Sequence, residues 1–170
     1  IVAVMDCTGH GVPGALMTMI ASSAIRRITR MDRCHDPAEI LSRLNLIIKT
    51  SLHQDTEHAL SNDGLDAAIC FVVGTPAGAD EARKYEHLIF AGAKLPLIRI
   101  QEDKAGMIKG DRQSIGYKKS DLNFRFKNHQ IPIEPGISFY LHSDGIIDQK
   151  GGKKGFPFAK RRFMNLLQQN

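Results

Sequence analysis

The sequence contains no tryptophan and few aromatic residues, and its cysteines form no recognisable pattern. Phe and Tyr together make up 6% of the 170 residues. The three cysteines are an odd number, and no two are spaced as Cys-x-x-Cys, so we expect neither a disulfide framework nor a structural zinc site. A reducing compartment, the cytoplasm, fits best. The cysteines are Cys7, Cys34 and Cys70.

The chain also lacks a long apolar run and a charged leader. No stretch is long enough to span a membrane, and the sequence opens directly on strand-like residues from Ile1, unlike a signal peptide. This start indicates an excerpt from a longer protein. The net charge is +5 at pH 7, but no arginine-rich stripe alternates with aromatic residues. The absence of such a stripe argues against nucleic-acid binding, and the mildly basic charge favours acidic or phosphorylated partners.

What the sequence does contain suits one globular domain over residues 1–170. Hydrophobic residues make up 42% and charged residues 24%, which is enough apolar content for a core. The order of predicted elements is one strand, two helices, a run of hairpin-linked strands and a final helix. Because the strands are separated from the helices, this order predicts an α+β fold with largely antiparallel pairing.

Two helices are predicted near the N-terminus. Residues 12–30 carry apolar side chains at helical spacing, on a face formed by Val12, Leu16, Met19, Ile20, Ala24 and Ile28. The second helix begins at Asp36, an N-cap, with Pro37 as its first residue and Glu39 as the return partner of a capping box. Its apolar face consists of Ile40, Leu41, Leu44, Ile47, Ile48 and Leu52.

The rest of the chain is mostly strands and turns. Strands are predicted at residues 65–74, 85–91, 95–101, 107–109, 124–129 and 137–143. Gly92 to Lys94 predict a hairpin between the second and third of these. Pro76 and Gly78 indicate a turn, and residues 151–155 a flexible basic loop before a helix at residues 158–167.

Two aspartates follow apolar strands at opposite ends of the chain. Asp6 ends the first strand and precedes a glycine-rich turn, in the stretch DCTGHGVPG, where the backbone can come close to a ligand. Asp144 follows the strand at residues 137–143. If the two converge, their carboxylates could bind a hard divalent cation such as Mg²⁺ or Mn²⁺, with Asp148 as a further candidate.

Other potentially reactive residues have simpler interpretations. His10 belongs to no HExxH motif and is expected to support the glycine-rich turn. Ser143 lacks the GxSxG elbow of a serine hydrolase. No base is identifiable for Cys7 as a nucleophile, and its backbone carbonyl is the better candidate as a metal ligand. Asp63 and Asp66 are expected in a solvated loop and at a strand cap.

Four segments, in order along nearly the whole chain, resemble SpoIIE/RsbU-type serine/threonine phosphatases, the bacterial branch of the metal-dependent PP2C-like phosphatases. Residues 4–15, VMDCTGHGVPGA, resemble the glycine-histidine-glycine signature of this family. Residues 90–97, FAGAKLPL, resemble its central hairpin, and residues 109–116, KGDRQSIG, its next segment. Residues 140–148, YLHSDGIID, resemble its late aspartate-glycine motif.

The resemblance implies a fold and a chemistry. The fold would be a PP2C-like αββα sandwich of two mostly antiparallel sheets flanked by helices. Two Mn²⁺ or Mg²⁺ ions would activate a water molecule that attacks phosphoserine or phosphothreonine. Asp6 would bridge the two ions, Cys7 would contribute its backbone carbonyl, and Asp144 would bind one ion. Asp148 matches an acidic position of the family but is not expected to be a ligand.

The resemblance also implies partners. Relatives often dephosphorylate a regulatory protein such as a STAS-domain antagonist, and they are often fused to sensor, receiver or membrane modules. The chain could then be the cytoplasmic domain of a membrane-anchored protein. In relatives the helices corresponding to residues 12–52 act as a regulatory switch. The alternative is a non-catalytic module of the same fold that binds a partner or forms a homodimer through residues 12–52.

Two features of the family pattern have no counterpart in the chain. The family has a glycine-aspartate pair on a strand before the first motif, and a paired-aspartate segment leading into a last strand. We therefore expect the chain to lack the first and last strands of the family. It is either a trimmed part of a larger protein or a domain with a degraded site.

Overall fold

The computed structural model describes residues 1–75, 85–102, 104–151 and 155–169. The helices are α1 (Gly11–Arg26), which continues into a π-helical turn (Arg27–Met31), α2 (Pro37–Ser51), α3 (Asp144–Ile147) and α4 (Lys160–Leu167). The strands are β1 (Val2–Cys7), β2 (Leu65–Gly74), β3 (Tyr85–Ala93), β4 (Leu97–Gln101), β5 (Lys104–Ile108), β6 (His129–Pro132), β7 (Ser138–Leu141), β8 (Lys150–Gly151) and β9 (Phe156–Pro157).

The main strands form two antiparallel sheets. The first has the order β1-β2-β3-β6, and the second has the order β5-β4-β7. The strands β8 and β9 form a separate short pair. The prediction of an α+β fold with mostly antiparallel sheets is confirmed.

Two apolar clusters show how the layers stack. The first cluster joins α1 and α2 to one face of the first sheet, through residues such as Leu44, Ile48 and Ile69. The second joins the opposite face of that sheet to the second sheet, through Phe90 and Leu97 among others. The chain therefore stacks a helical layer on two sheets, and the two sheets meet across an apolar interface.

The start of α2 follows the predicted capping. The Asp36 carboxylate accepts a hydrogen bond from the Glu39 backbone N–H at 3.0 Å, and Pro37 is the first helical residue. The Glu39 carboxylate accepts a hydrogen bond from the Arg43 side chain at 2.8 Å rather than closing the box. The predicted apolar face is buried or half-buried throughout.

The predicted apolar face of α1 is partly wrong. Ala24 and Ile28 are buried as expected, but Val12, Leu16 and Met19 are 74%, 55% and 67% exposed. The physical reason is that α1 packs mainly against α2 and, to a lesser extent, against β1, so it buries a narrow side. That side is completed by Met17 and Ala21. We call Val12, Leu16 and Met19 the exposed stripe of α1.

The hairpin predicted at Gly92 to Lys94 is also wrong. At this point the chain leaves the first sheet and enters the second, because β3 and β4 belong to different sheets. Lys94 adopts a left-handed conformation with φ of 66°, and its N–H donates to the Asp111 carbonyl at 2.9 Å. A Cβ on Gly92 would lie 2.3 Å from the Leu95 carbonyl oxygen, so only glycine fits at the crossing.

The strand predicted at residues 124–129 begins later than expected. Phe124 and Phe126 both pack against the first cluster, with their ring centroids 5.0 Å apart, and Arg125 and Lys127 are exposed, so the predicted alternation is present although residues 124–128 pair with no strand. The ladder starts only at His129, with β6. The turn predicted at Pro76 and Gly78, and the centre of the loop predicted at residues 151–155, lie outside the described residues. None of the described helices is both long and apolar enough to cross a bilayer.

Candidate metal centre

The strand pairing places two aspartates side by side. Asp6 on β1 is the direct partner of Asp66 on β2, just as Val4 is the partner of Ala68 two residues earlier. Val4 and Ala68 belong to the cluster between the two sheets. Because strand side chains alternate with a period of two, Asp6 and Asp66 point to that same face, with their Cβ atoms about 5 Å apart.

The second sheet brings Asp144 to the same place. Asp144 is the first residue of α3, shortly after the end of β7. Burial raises the pKa of the Asp6 carboxyl, a hydrogen bond with the Asp144 carboxyl and the negative charge of that group raise it further, and the Asp144 backbone N–H opposes the rise. The two strand-end aspartates predicted to converge therefore lie in contact, although they come from opposite ends of the chain.

Asp66 is a third acidic residue at this place, whereas its position in the sequence predicts only a strand cap. It lies within β2, and its Oδ1 atom is buried with no hydrogen-bond partner in the part of the chain that the structure describes. Burial raises the pKa of Asp66; Ser114 and Lys94 oppose the rise, and Asp144 adds to it. The apolar run AAICFVV directly after Asp66 indicates a buried strand, but it does not indicate that Asp66 meets two other carboxyls.

Thr8, the residue after β1, holds the end of that strand in place. The Thr8 backbone N–H and side-chain hydroxyl both donate to the Gly64 carbonyl, each at 2.9 Å. The Thr8 hydroxyl also shares a 2.6 Å hydrogen bond with the Tyr117 hydroxyl. A Cβ on Gly64 would lie 2.3 Å from the Ile115 carbonyl oxygen. These contacts restrict where Asp6 can point.

The glycine-rich turn folds tightly beside the aspartates. Gly9 and Gly11 have φ of 92° and 62°, values that favour glycine, and a Cβ on Gly14 would lie 2.7 Å from the Gly9 carbonyl oxygen. His10 occupies the N-cap position of α1, is exposed, and makes no capping hydrogen bond with its side chain. His10 therefore does not support the turn through a capping hydrogen bond, although it was expected to support it.

Cys7 and Ser143, the residues next to Asp6 and Asp144, are not suited to act as covalent nucleophiles. The Cys7 side chain packs against the first apolar cluster; burial raises the pKa of its thiol, a Thr18 hydrogen bond opposes the rise, and Asp6 adds to it. Such a thiol stays protonated at neutral pH. Next to Ser143, the His142 ring is buried against Phe163, and its Nδ1 lies 2.8 Å from the Ser143 backbone carbonyl oxygen.

The donor set fits a hard divalent cation in its chemistry. Among the described residues, no three acidic, His or Cys side chains are arranged as a finished cage for an ion. The groups present are nevertheless oxygen donors: two carboxyls in contact and the orphaned Oδ1 of Asp66. Like charges this close disfavour ionisation unless a cation or a proton lies between them, and oxygen ligands select Mg²⁺ or Mn²⁺.

Two packed antiparallel sheets, a helical layer and converging strand-end aspartates define a PP2C-type domain. The family model for stage II sporulation protein E (SpoIIE) matches residues 1–170, and the chain belongs to the SpoIIE family. The resemblance drawn from the four sequence segments is therefore confirmed. No match was found among curated proteins.

Solved structures with the same fold include two from Pseudomonas aeruginosa. The SiaA PP2C domain is 34% identical, superposes with a TM-score of 0.75, and aligns with 98% of this chain and 59% of its own. The chain thus spans less than two thirds of that domain. PppA, described as a key regulatory component of T6SS, is 14% identical with a TM-score of 0.56 over 86% of this chain and 66% of its own. At that identity the likeness concerns the fold alone.

Proposed function

We propose that the chain is the catalytic domain, or most of it, of a metal-dependent protein serine/threonine phosphatase that acts on a phosphorylated regulatory protein. The observation that carries the proposal is the contact between Asp6 and Asp144, two strand-end carboxyls from separate sheets. Membership of the SpoIIE family supports it, because this family consists generally of phosphatases. That residues 1–170 form a single domain stays a prediction.

In the proposed mechanism the chain holds cations and positions the phosphoryl group. When bound, two Mn²⁺ or Mg²⁺ ions supply a nucleophile from water at neutral pH and polarise the phosphoryl oxygens. The Asp6 and Asp144 carboxylates and the Cys7 backbone carbonyl would hold these ions. Thr8 and Tyr117 keep the end of β1 in position, so that the carboxylate of Asp6 stays aimed at the site.

The proposed hydrolysis is a single displacement without a phosphoenzyme. The neighbouring candidates for a covalent nucleophile are unsuited to that role. The Cys7 thiol faces the core and its pKa is raised by burial, so little thiolate is present at neutral pH. The His142 Nδ1 faces a backbone carbonyl and its Nε2 is buried without a hydrogen-bond partner in the described part of the chain, so this ring is not placed to act as a base for the Ser143 hydroxyl.

Removing either carboxylate tests this assignment. Asp6→Ala and Asp144→Ala are each expected to lower Mn²⁺-dependent hydrolysis of a phosphopeptide more than about 100-fold, because each removes a direct ligand. Calorimetric titration of Mn²⁺ into the same variants is expected to show weakened or absent binding. A circular dichroism spectrum of each variant checks that the fold is retained.

The matched control is Asp148→Ala. Asp148 is exposed and is the first residue after α3. The substitution therefore removes the same charge near the site without removing a proposed ligand. It is expected to keep Mn²⁺ binding and hydrolysis within about twofold, as for a surface substitution. Full activity in Asp6→Ala or Asp144→Ala would contradict the site assignment.

A second candidate function rests on the exposed stripe of α1. The three apolar side chains Val12, Leu16 and Met19 are solvent-exposed on a helix that packs mainly against α2 and, to a lesser extent, against β1. Such a stripe suits a protein partner or a second copy of the chain. A chain that bound no Mn²⁺ and hydrolysed no phosphopeptide, but dimerised or bound a partner through this stripe, would be the non-catalytic module considered above.

A further inference from the structure

A pocket with a basic lining lies beside the three aspartates. Its volume is about 320 Å³, within the range of small-ligand sites. Three of its lining side chains are cations, namely Lys94, Arg112 and Lys119, and none of its lining residues is acidic. The lining of the pocket is therefore positively charged, and no carboxylate of the described residues belongs to it.

The three cations are not neutralised by close ion pairs. Over residues 1–75, 85–102, 104–151 and 155–169, ion pairs within 4 Å occur only at Arg43. Lys94 interacts with Asp66 through charge alone. A group of three exposed cations without close counter-ions repels itself, and an oxyanion in the pocket would relieve that repulsion.

The backbone holds these cations in one place. Lys94 sits at the sheet crossing in a left-handed conformation that is uncommon for a residue with a Cβ, and its N–H is bound to Asp111, the neighbour of Arg112. Lys119 lies in a turn closed by the Ser120 N–H, which donates to the Tyr117 carbonyl at 2.9 Å. The Ser120 hydroxyl donates to the Ser114 carbonyl at 2.7 Å.

The helix α2 fixes the far wall of the pocket. The Lys49 ammonium is buried and donates to the carbonyls of Lys118 and Ser120, at 2.9 and 2.5 Å. The Asn45 side chain accepts from the Gly116 N–H at 2.9 Å. The segment that carries Lys119 is thus tied to α2 and is not a loose surface loop.

Two contacts join the pocket to the aspartates. Ser114, which lines the pocket, interacts with the carboxyl of Asp66, the strand partner of Asp6, and lowers its pKa. Tyr117, which also lines it, hydrogen-bonds to Thr8, two residues after Asp6. A phosphoryl group held in the pocket would therefore lie next to the carboxylates proposed to bind cations.

From this arrangement we propose that Lys94, Arg112 and Lys119 bind the phosphoryl group of the phosphoprotein substrate. The proposal rests on the proposed phosphatase function and adds the residues that recognise the substrate. Three cations in an open pocket match the charge of a phosphate monoester better than they match the single charge of a carboxylate. Arginine supplies a planar pair of donors for two phosphoryl oxygens, and each lysine supplies a point charge.

The first test measures anion binding without any metal. Inorganic phosphate is titrated into the metal-free chain at constant ionic strength, and the amide resonances of residues 111–120 are followed by NMR. Saturable binding is expected, and Arg112→Gln is expected to weaken it about tenfold, the usual cost of losing a charge-assisted hydrogen bond. Lys119→Gln is expected to weaken it by a similar factor.

The matched control is Arg30→Gln, which removes the same charge from an exposed position on the π-helical turn after α1. It is expected to leave phosphate affinity within twofold. All the substituted side chains are exposed, and the amide spectra report directly whether each variant is folded. Absence of saturable binding to the wild-type chain, or equal weakening by Arg112→Gln and Arg30→Gln, would overturn the proposal.

A second arm identifies the source of the anion. A phosphoserine peptide is compared with its unphosphorylated form and with a form that carries glutamate at the same position. Only the phosphorylated peptide is expected to compete with inorganic phosphate at the pocket. Equal competition by the glutamate form would reassign the pocket to acidic side chains and overturn the proposal for the phosphoryl group.

Mn²⁺-dependent hydrolysis separates this proposal from the proposed function. Phosphate binding that depends on Arg112, in a chain that hydrolyses nothing, would support the pocket and contradict the phosphatase. Hydrolysis that needs Asp6 but is unaffected by Arg112→Gln, in kcat and in KM, would support the phosphatase and overturn the pocket. If both hold, Arg112→Gln is expected to raise KM for the phosphopeptide more than it lowers kcat.

Discussion

Asp36 joins a local role to a long-range one. Its carboxylate caps α2 by accepting from the Glu39 N–H at 3.0 Å, and it also accepts from the Asn128 side-chain amide at 2.8 Å. Burial by itself raises the pKa of Asp36, but these hydrogen bonds outweigh it and lower the pKa below the ordinary value of 3.8. The ionised form is therefore favoured by folding.

We expect Asp36→Ala to lower the free energy of unfolding by about 1 kcal/mol at pH 7, the usual cost of losing an N-cap. A group whose pKa falls on folding stabilises the protein above its unfolded pKa, and this contribution is lost as the pH falls through the folded value. The effect of Asp36→Ala should therefore shrink below pH 4 or so. Urea titrations at several pH values measure it.

Asp32→Ala is the control for this prediction. The Asp32 carboxylate forms an exposed ion pair with Arg43 at 3.5 Å, so its removal is expected to cost less than about 0.5 kcal/mol at pH 7. Equal costs for the two variants, or a cost at Asp36 that does not change with pH, would contradict the capping role.

The difference between Asp36 and Asp66 shows what single residues reveal in a sequence. The cap could be predicted because Asp36 and the Glu39 N–H that donates to it lie within one helical turn, in the pattern Asp-Pro-x-Glu. Asp66 acquires its environment from Asp6 and Asp144, which are far away in the sequence and reach it only through strand pairing and sheet stacking. No local pattern encodes those neighbours, so Asp66 was expected at a strand cap.

At the scale of elements, α1 shows that helical spacing does not fix which side of a helix is buried. Apolar residues occur around much of its circumference, and both Leu16 and Met17 could belong to a buried face. The packing of α1 on α2 and β1 buries Met17 and leaves Leu16 exposed. The existence of the helix could be predicted, whereas its rotation depends on the neighbours it meets.

The packing of α1 and of the π-helical turn that follows it predicts unequal costs for substitutions at Leu16 and Ile28. Ile28→Ala should lower the free energy of unfolding by about 2 to 5 kcal/mol, because Ile28 is fully buried in the first cluster and its removal leaves a cavity. Leu16→Ala should change it by less than about 0.5 kcal/mol, as for an exposed site. Chemical denaturation of the two variants makes the comparison.

A large cost for Leu16→Ala that rises with protein concentration would instead show that a second copy covers the exposed stripe. Sedimentation velocity of the wild-type chain and of Leu16→Glu distinguishes a stripe that is exposed on a monomer from one that is covered in a dimer. A monomer in both would contradict dimerisation through this stripe.

For the molecule as a whole, the crossing between the sheets is the point on which the architecture depends. Gly92 and Gly110 lie so close that a Cβ on Gly92 would be 3.0 Å from the Gly110 Cα and 2.3 Å from the Leu95 carbonyl oxygen. These are backbone atoms, which cannot move aside as a side chain can. The two sheets are joined through this contact.

We therefore expect Gly92→Ala to lower the free energy of unfolding by about 1 to 3 kcal/mol or more, through overpacking. Gly151→Ala is the matched control, since a Cβ there meets nothing within 4 Å and it is expected to have almost no effect. Thermal unfolding followed by circular dichroism compares the two. Equal melting temperatures for both variants would contradict the close crossing.

The whole fold was more predictable than its connections. The order of helices and strands indicated an α+β protein, and the four motif segments indicated the PP2C-like sandwich. The segment from Gly92 to Lys94 was misassigned because a hairpin and a sheet crossing share the same glycine-rich composition. What separates them is the contact of Gly92 with Gly110, which depends on the approach of two sheets.

The attachment of the pocket wall to α2 has a consequence for regulation. Lys49 and Asn45 bind the segment that carries Lys119, and a Cβ on Gly116 would lie 2.5 Å from the Ile48 side chain, so this helix and that wall can only shift together. A protein that displaced α2 would thereby alter the anion affinity of a pocket it never touches. By thermodynamic reciprocity, a bound phosphate would change the affinity for that protein by the same factor.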